Sequence, residues 1–558
     1  MAKFVLVADT TLSREYRNFP LLDFLPSAPS DRVPGSIYRF LRGNPPPAIG
    51  GRASKAPYAL RKLEAGLLRE YHASDVVVAH EDHIADFVDE DTELIGVTTM
   101  DPLGLAPLTM SYTVFFRSAR NTAYVRKDFV ELIDRVNKIR SGKKAKLLVG
   151  GPGVWEFTVM PEELDNLGID CAYQGEADDI VVDLFRHVVD DDGGSNLFRG
   201  GFQTFDEHFH RQWVDDGRFL SRYQFSKQFP KLEEIPDIVN PSIKGMIEVM
   251  RGCGIGCDFC EVTLRPLRYY SPERVRREVQ VNTKVGQSHA WLHSDEIFAY
   301  QHGAHFEPNG EALEDLFTTV MSTKGLVYTN PTHGRISIPA AYPSLIRKLS
   351  RALAAGPNNW IGVQVGIETG SDRLAAIHMP NKTLPLRVGP DGSWAEIVWR
   401  GTFILNKYYW RPAFTVQVGQ AGETPEDNWE TVALINIMSN SEVEGRPFEF
   451  TVTPMQNVPL GRLRSRDFSS IPLDESQLAV YYACYRHLYK VAMRNARNPK
   501  NNGTSSMLGI GTGALLGIGA WAMMHVVGME CKKGNLNLEK AATYGLDRKV
   551  AQTPLLTA

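Results

Sequence analysis

Short apolar runs recur along this chain, and most end in a glycine, proline or acidic turn before a helical stretch begins. Five such runs fall in the first 190 residues: Phe4-Val-Leu-Val-Ala8, Asp75-Val-Val-Val-Ala79, Leu94-Ile-Gly-Val-Thr98, Ala145-Lys-Leu-Leu-Val-Gly150 and Ile169-Asp-Cys-Ala-Tyr173. Runs without polar alternation suit strands covered on both faces. Helical periodicity marks residues 59–71, 129–140 and 180–189 between and after them. Alternation of this kind specifies α/β architecture, so residues 1–190 predict a doubly wound parallel sheet of the Rossmann-like type. Ligands of such sheets gather at the carboxyl ends of strands. Here those ends carry Thr98, Thr99, Met100, Asp101, Pro102, Leu103 and Gly104, then Gly150-Gly151-Pro152-Gly153, then Gly175-Glu176. No G-x-G-x-x-G turn follows the first strand, which argues against a nicotinamide cofactor.

A second series occupies residues 241–460. Strands are predicted at Lys244-Gly-Met-Ile-Glu-Val-Met250, His289-Ala-Trp-Leu-His293, Arg335-Ile-Ser-Ile338, Trp360-Ile-Gly-Val-Gln-Val-Gly366, Phe414-Thr-Val-Gln-Val-Gly419 and Glu449-Phe-Thr-Val-Thr453. Ser271-Pro272 opens a helix with a cap and a proline in the first turn. Six strand–helix units give a partial (β/α)6 barrel. Residues 191–240 read as a linker, beginning in Asp191-Asp192-Gly193-Gly194-Ser195; His208, His210 and Trp213 there lack the spacing of a metal site. Residues 461–558 predict a mostly helical C-terminal domain. It holds an amphipathic, tyrosine-rich helix at 475–494 and a polar loop at 495–506. The stretch 507–529 follows, with no Lys, Arg, Asp or Glu but six glycines. Its length would span a bilayer; its glycines favour a loop-like, buried or lid-forming segment.

Three of the six cysteines stand together in Arg251-Gly-Cys-Gly-Ile-Gly-Cys-Asp-Phe-Cys-Glu261. Glycines let this loop curl so that Cys253, Cys257 and Cys260 face one place. Three soft thiolates suit zinc or an iron–sulfur cluster. A closed structural zinc site needs four ligands, and the next histidine in sequence is His289. A cubane held by three cysteines leaves one iron open. The residues alone leave a zinc knuckle, a reduced cysteine-rich turn and a cluster as alternatives. Cys171, Cys484 and Cys531 are scattered, as structural or free thiols would be. Six cysteines in 558 residues, three of them clustered, argue against a secreted disulfide scaffold. A formal charge of −4 offers no electrostatic case for nucleic acid. The opening Met1-Ala-Lys-Phe-Val passes straight into a strand-like run and predicts no secretory leader.

The spacing C-x3-C-x2-C, with Phe259 before the last cysteine, resembles the signature of the radical S-adenosylmethionine enzymes. That resemblance implies a 4Fe–4S cluster on Cys253, Cys257 and Cys260, with S-adenosylmethionine on the open iron. It extends to Ser294-Asp295-Glu296, where the family places a group that binds the amino end of S-adenosylmethionine. It also covers Gly366-Ile-Glu368-Thr-Gly370, similar to the family's Gly-x-Glu-(Ser/Thr)-Gly turn. The stretch from Gln417 through Gly419 to Glu423 departs mildly, with Ala421 where proline is usual. Residues 1–190 resemble the cobalamin-binding domain of one large subgroup. The implied cobalamin contacts are residues 98–103, Gly150, Gly151, Gly153, Gly175 and Glu176. The Asp-x-His-x-x-Gly motif of base-off cobalamin proteins is absent, so His83 is not assigned to cobalt.

The resemblance implies a radical C-methyltransferase. The 5′-deoxyadenosyl radical takes a hydrogen from an unactivated sp3 carbon and methylcobalamin supplies the methyl group. The implied partners are a protein or peptide substrate and an external electron donor of ferredoxin or flavodoxin type, in the cytoplasm of an anaerobic cell. The loop, length and tail are most similar to archaeal members, with the glutamine Cα of methyl-coenzyme M reductase as first acceptor. An enzyme acting on a lipid or tetrapyrrole is the rival, with membrane contact by residues 507–529 as its main support. A non-methylating radical enzyme, as in ring contraction or cyclisation, is the third reading.

Overall fold

The computed structural model describes residues 2–16, 20–190, 229–458, 460, 472–497 and 507–548. Most of the expected linker, with His208, His210 and Trp213, lies outside them, as does most of the polar loop at 495–506. Two hydrophobic cores organise the described residues.

The first core surrounds a parallel sheet of five strands: β1 (Phe4–Ala8), β2 (Val76–Val78), β3 (Leu94–Thr98), β4 (Lys146–Gly150) and β5 (Cys171–Ala172). Their order is β2-β1-β3-β4-β5. Phe4 sits opposite Val76 on one side and Leu94 on the other. β1, β2 and β3 are buried along their whole length, as continuous apolar runs between two helical layers require. The covering helices are α1 (Gly35–Arg42), α2 (Tyr58–Leu67), α3 (Pro107–Phe116), α4 (Tyr124–Arg140) and α5 (Val181–Asp190). The chain leaves β1 for opposite sides at β2 and β3, so the topological switch point lies between β1 and β3. The expected strand at 169–173 shrinks to two residues, because only Cys171 and Ala172 reach Leu148 and Val149 at the sheet edge.

The second core surrounds β6 (Met246–Glu248), β7 (Met250–Arg251), β8 (Arg268–Tyr269), β9 (His289–His293), β10 (Tyr328–Pro331), β11 (Ile361–Glu368), β12 (Trp410–Val418) and β13 (Thr451–Gln456). Strands β6-β9-β10 pair in parallel, as do β11-β12-β13, and a parallel bridge from His333 to Gln364 joins the two sets. The result is the expected six-stranded partial barrel. Helices α6 (Pro272–Thr283), α7 (Gly310–Met321), α8 (Pro343–Ala352), α9 (Asp372–His378), α10 (Trp394–Lys407) and α11 (Pro425–Met438) accompany it. Ser271 caps α6 by accepting from Arg274 N, as its sequence implies.

One strand is corrected. Arg335-Ile-Ser-Ile338 is not the third barrel strand; β10 is, and residues 337–341 form a short helix. The alternation there was misleading because all four side chains are buried. β10 reads Tyr-Thr-Asn-Pro, with no apolar pattern, and is held by pairing along β9.

Helices α12 (Glu475–Arg497), α13 (Met507–Lys533) and α14 (Leu538–Thr543) follow. Leu478, Tyr481, Cys484, Val527, Cys531 and Ala541 belong to the same core as the barrel. The segment from 507 is thus a helix, not a glycine loop. Packing overrides the intrinsic cost of its glycines: α13 lies along α12, and Gly517 sits against Ala496 and Met493. Among the described residues, no helix is long and apolar enough to cross a membrane.

The two halves are tied through a buried carboxylate. Glu278 on α6 accepts from Tyr58 Oη at 2.6 Å, from Ile238 N at 3.1 Å and from Lys62, both Tyr58 and Lys62 lying on α2. Lys244 pairs with Asp23 at 2.5 Å, and Gln456 N at the end of β13 donates to Ser111 on α3.

Candidate active site

The cysteine loop leaves the C-terminal end of β6 through a two-residue antiparallel clip. In it Arg251 of β7 faces Arg268 of β8. Gly252, Gly254 and Gly256 all have positive φ, the conformation an L side chain avoids. Gly252 admits no alternative: an added Cβ would lie 2.7 Å from the carbonyl oxygens of Arg265 and Pro266. Cys253 and Cys257 are buried and Cys260 is half-buried. Burial pushes the Cys257 thiol up to about 12, and raises Cys253 and Cys260 as well. Cys257 and Cys260 add to the shift of Cys253, so the three thiols share one electrostatic environment. Lys382 opposes the shift at Cys257 and Cys260. Thiols so buried become ligands only where a cation offsets the loss of hydration. The donor set, three thiols around a glycine turn, fits a cationic iron–sulfur centre. Among the described residues, no group of three or more His, Cys, Asp or Glu side chains closes on a single metal-ion position.

Neighbouring strand ends grip the loop. Asp295, after β9, accepts from Gly252 N at 2.7 Å. His378, at the end of α9, sits 2.9 Å from the Asp258 carboxylate through Nδ1 and 2.8 Å from Ala421 O through Nε2. Asn381 donates to Ile255 O at 2.9 Å. His378 therefore bridges the cysteine loop to the turn after β12. In that turn Gly419 N and Gln420 N donate to Glu423 at 2.8 and 3.0 Å. Gln417, on β12, accepts from Asn457 at 2.6 Å. Glu368, at the end of β11, has φ +62 and accepts from Lys382 Nζ at 2.8 Å. Burial disfavours the Lys382 charge, but Glu368 and Cys257 outweigh it and raise its pKa. Phe259 packs on the barrel core and its carbonyl accepts from Leu460 N.

Ser294, Asp295 and Glu296 divide. Ser294 is fully buried, with its amide donating to Thr332 Oγ1 at 3.0 Å. Glu296 is buried too; it caps a short helical turn through Phe298 N at 3.1 Å and faces Arg335 at 3.6 Å. Asp295 is the member of the trio directed at the cysteine loop.

The rim of the N-terminal sheet meets this site. Arg251, two residues before Cys253, pairs with Glu248 at 2.8 Å, with Glu176 at 2.5 Å and with Asp178 at 2.8 Å. Arg268 holds the other Glu176 oxygen at 2.6 Å. Burial disfavours the Asp178 charge, yet Arg251 outweighs it and holds the carboxyl below its ordinary range. Glu176 thus joins the two sheets, and its carboxylate is committed to arginines.

The other expected rim residues are packed against one another. An added Cβ on Gly151 would meet Thr99 O at 2.4 Å, and one on Gly153 would meet the Met100 backbone at 2.4 Å. Thr98, Thr99, Pro102 and Leu103 are buried, Thr99 Oγ1 donating to Asp9 at 2.8 Å and Leu103 N to Glu156 at 2.6 Å. Asp101 accepts from Ala106 N at 3.0 Å and from the Thr109 hydroxyl. Met100 alone in this loop is exposed, at 53%. A Cβ on Gly150 would meet nothing closer than 3.9 Å, and Gly175, half-buried, turns at φ +148. Met100, exposed, and Gly150, Gly151 and Gly175, half-buried, are the residues of this set, Glu176 aside, that keep surface toward a ligand. The polar residues of the set are spent internally, and burial pushes the Asp9 carboxyl beside them up to about 7. His83 lies at the surface with Asp86 at 2.7 Å.

Sequence reasoning missed Asp178, Asp258, His378, Asn381 and Lys382, and the ion-pair role of Arg251. None stands at a diagnostic spacing from the cysteines; the crossover after β11 brings the last three to the loop. Capping boxes at Ser393/Glu396 and Thr424/Asp427, which the sequence reading did not single out, start α10 and α11.

No protein-family model and no curated protein matches the chain. Among solved structures, it is similar to the radical S-adenosylmethionine methyltransferase TsrM from Kitasatospora setae with tryptophan and a S-adenosylmethionine analogue bound. That match has 14% identity and a TM-score of 0.45 over 77% of this chain and 70% of TsrM. A second TsrM structure, with cobalamin and a 4Fe–4S cluster, matches at 14% identity and TM-score 0.45 over 82% and 75%. The cobalamin-dependent S-adenosylmethionine radical enzyme OxsB matches at 12% identity and TM-score 0.47, over 79% of this chain and 53% of OxsB.

Proposed function

We propose that this chain is a cobalamin-dependent radical S-adenosylmethionine C-methyltransferase. One observation carries the reading. The C-x3-C-x2-C loop sits at the first strand end of a partial (β/α)6 barrel and is ion-paired, through Arg251 and Glu176, to the ligand rim of a β2-β1-β3-β4-β5 sheet. Two ligand-binding rims of α/β sheets thereby meet.

Cys253, Cys257 and Cys260 hold the cluster. Asp295, Glu368, Gln417, Gly419 and Ala421, with Ser294, Glu296 and Phe259 behind them, form the wall for S-adenosylmethionine. Met100, Gly150, Gly151 and Gly175 receive the cobalamin face, and Thr98, Thr99, Asp101, Pro102, Leu103, Gly153 and Glu176 shape that rim. Bound there, the cluster and S-adenosylmethionine supply a hydrogen-abstracting radical, and methylcobalamin supplies the methyl group. The chain's own task is to orient and to exclude water. Asp295, His378 and Asn381 pin the loop backbone, Arg251 sets its distance from the opposite rim, and α3 closes one side by meeting the end of β13.

The acceptor we infer is an unactivated sp3 carbon of a protein residue. The glutamine Cα of methyl-coenzyme M reductase is the acceptor to test first, on the resemblance of the cysteine loop and tail to archaeal members. An external ferredoxin- or flavodoxin-type donor serves reduction. The exposed Trp521, Met523 and Met529 on α13 favour, as second reading, a lipid or tetrapyrrole acceptor. The test is anaerobic purification with iron, sulfide and corrinoid quantified, followed by reductive cleavage of S-adenosylmethionine. Absence of corrinoid uptake overturns the methyltransferase reading. Mass spectrometry of peptide, lipid and corrinoid fractions from a strain lacking the protein then separates the acceptors by the missing methyl increment.

A further inference from the structure

We propose that Lys382, fixed by Glu368, is the cation that tunes the cysteine-held metal centre; the inference rests on the cluster reading above. Lys382 is a positioning residue in this scheme, acting on the centre through space.

Its location is built, not incidental. The segment 378–382 grips the cysteine loop at His378–Asp258 and Asn381–Ile255, and Asp258 N donates back to His378 O at 3.1 Å. That grip brings the Lys382 side chain, 12% exposed, against Glu368 at 2.8 Å. Gly366 makes room for the pair: an added Cβ there would lie 2.0 Å from Glu368 Oε1 and 2.6 Å from Lys382 Nζ. Glu368 reaches its position only with a left-handed backbone, φ +62, beside a register shift in β11. A non-glycine residue at positive φ and a glycine that leaves room for both side chains hold one ammonium where its charge is felt at Cys257 and Cys260.

Reduction of a cluster brings in one electron from a low-potential one-electron donor, with no bond made or broken and no proton required. A fixed positive charge in a water-poor site attracts that electron, and a fixed negative charge repels it. Lys382 and Glu368 therefore act with opposite signs. A pair too distant from the centre, or too well screened by water, would show no such sign.

The test is an EPR-monitored redox titration of the anaerobically reconstituted full-length protein, with iron and sulfide counted in every sample. Lys382→Met is expected to move the midpoint to a more negative potential, Lys382→Arg to keep it near wild type, and Glu368→Gln to move it to a more positive potential. If Lys382→Met retains no iron, the sign of the Glu368→Gln shift decides. Unmoved midpoints in iron-replete variants, or shifts of both in the same direction, overturn the inference and leave the cluster reading standing. A wild-type protein that binds no cluster overturns both.

Discussion

Replacing Arg251 with methionine tests whether the contact between the two sheets holds the cysteine loop in place. Arg251 is buried and serves three carboxylates. In Arg251→Met, Glu176 keeps Arg268 at 2.6 Å. Asp178 and Glu248 lose the cation that compensates them, with side chains only 12% and 10% exposed. Removing one partner of a buried ion pair costs about 3–5 kcal/mol. That is a large part of the ~5–15 kcal/mol that holds a domain folded. The sign with pH follows from Asp178. In the wild type its carboxyl is held below the ordinary range, so its contribution is present above the unfolded value of about 3.9 and fades as pH falls through the folded value. In the variant, burial acts without Arg251 and raises the carboxyl, so the native state takes up protons as pH falls and recovers stability. The loss is therefore largest near neutral pH and shrinks toward about pH 4. Urea unfolding of the full chain, followed by tryptophan fluorescence at neutral and mildly acidic pH, measures it. Arg251→Met/Asp178→Asn should be more stable than Arg251→Met at neutral pH. A loss under about 1 kcal/mol, or one that does not shrink on acidification, refutes the assignment of a buried interdomain ion pair.

Cys257→Ala should purify folded but lose the iron–sulfur absorption and reductive cleavage of S-adenosylmethionine; retained cleavage contradicts the ligand assignment. Gly153→Ala should lower the unfolding free energy, measured by urea titration, by about 1–3 kcal/mol, because its Cβ meets the Met100 backbone rather than a movable side chain. It should also weaken corrinoid uptake, measured by absorbance after desalting. Asp9→Asn should remove a pH-dependent loss of stability: the Asp9 carboxyl at about 7 binds protons in the native state between about pH 4 and 7, so wild type weakens as pH rises through that window. Parallel melts of wild type and Asp9→Asn across that range show whether the slope disappears.

Much of the architecture is visible in residue pattern because burial on two faces leaves no room for polar alternation. β1, β3 and β4 stand where their apolar runs stand, and β9 matches its five residues. Patterning fails where burial is decided by neighbours far away in sequence. β10 carries Thr, Asn and Pro yet is a central strand, since β9 supplies the pairing and the bridge at His333 leads on to β11. Arg335 looks like a strand residue and is instead a buried cation beside Glu296. α13 has glycines enough to discourage a helix, but lies along α12.

The same division applies to the site. Local sequence alone determines that three thiols share one glycine-rich turn, because their spacing is short and the chain is compliant there. It also places Glu368 and Gly419 at strand ends. Whether a carboxylate at a strand end faces the ligand or caps a helix is a matter of what stands opposite, and only tertiary structure decides it. Glu296 turned to Arg335, Glu176 to Arg251 and Arg268, and Asp295 to the Gly252 amide. Lys382 and His378 come to the cysteines through the crossover after β11, over more than a hundred residues of intervening chain. Charge pairing in a buried rim is long-range in sequence and short-range in space, so only the folded chain brings the cysteine loop under the hold of both sheets.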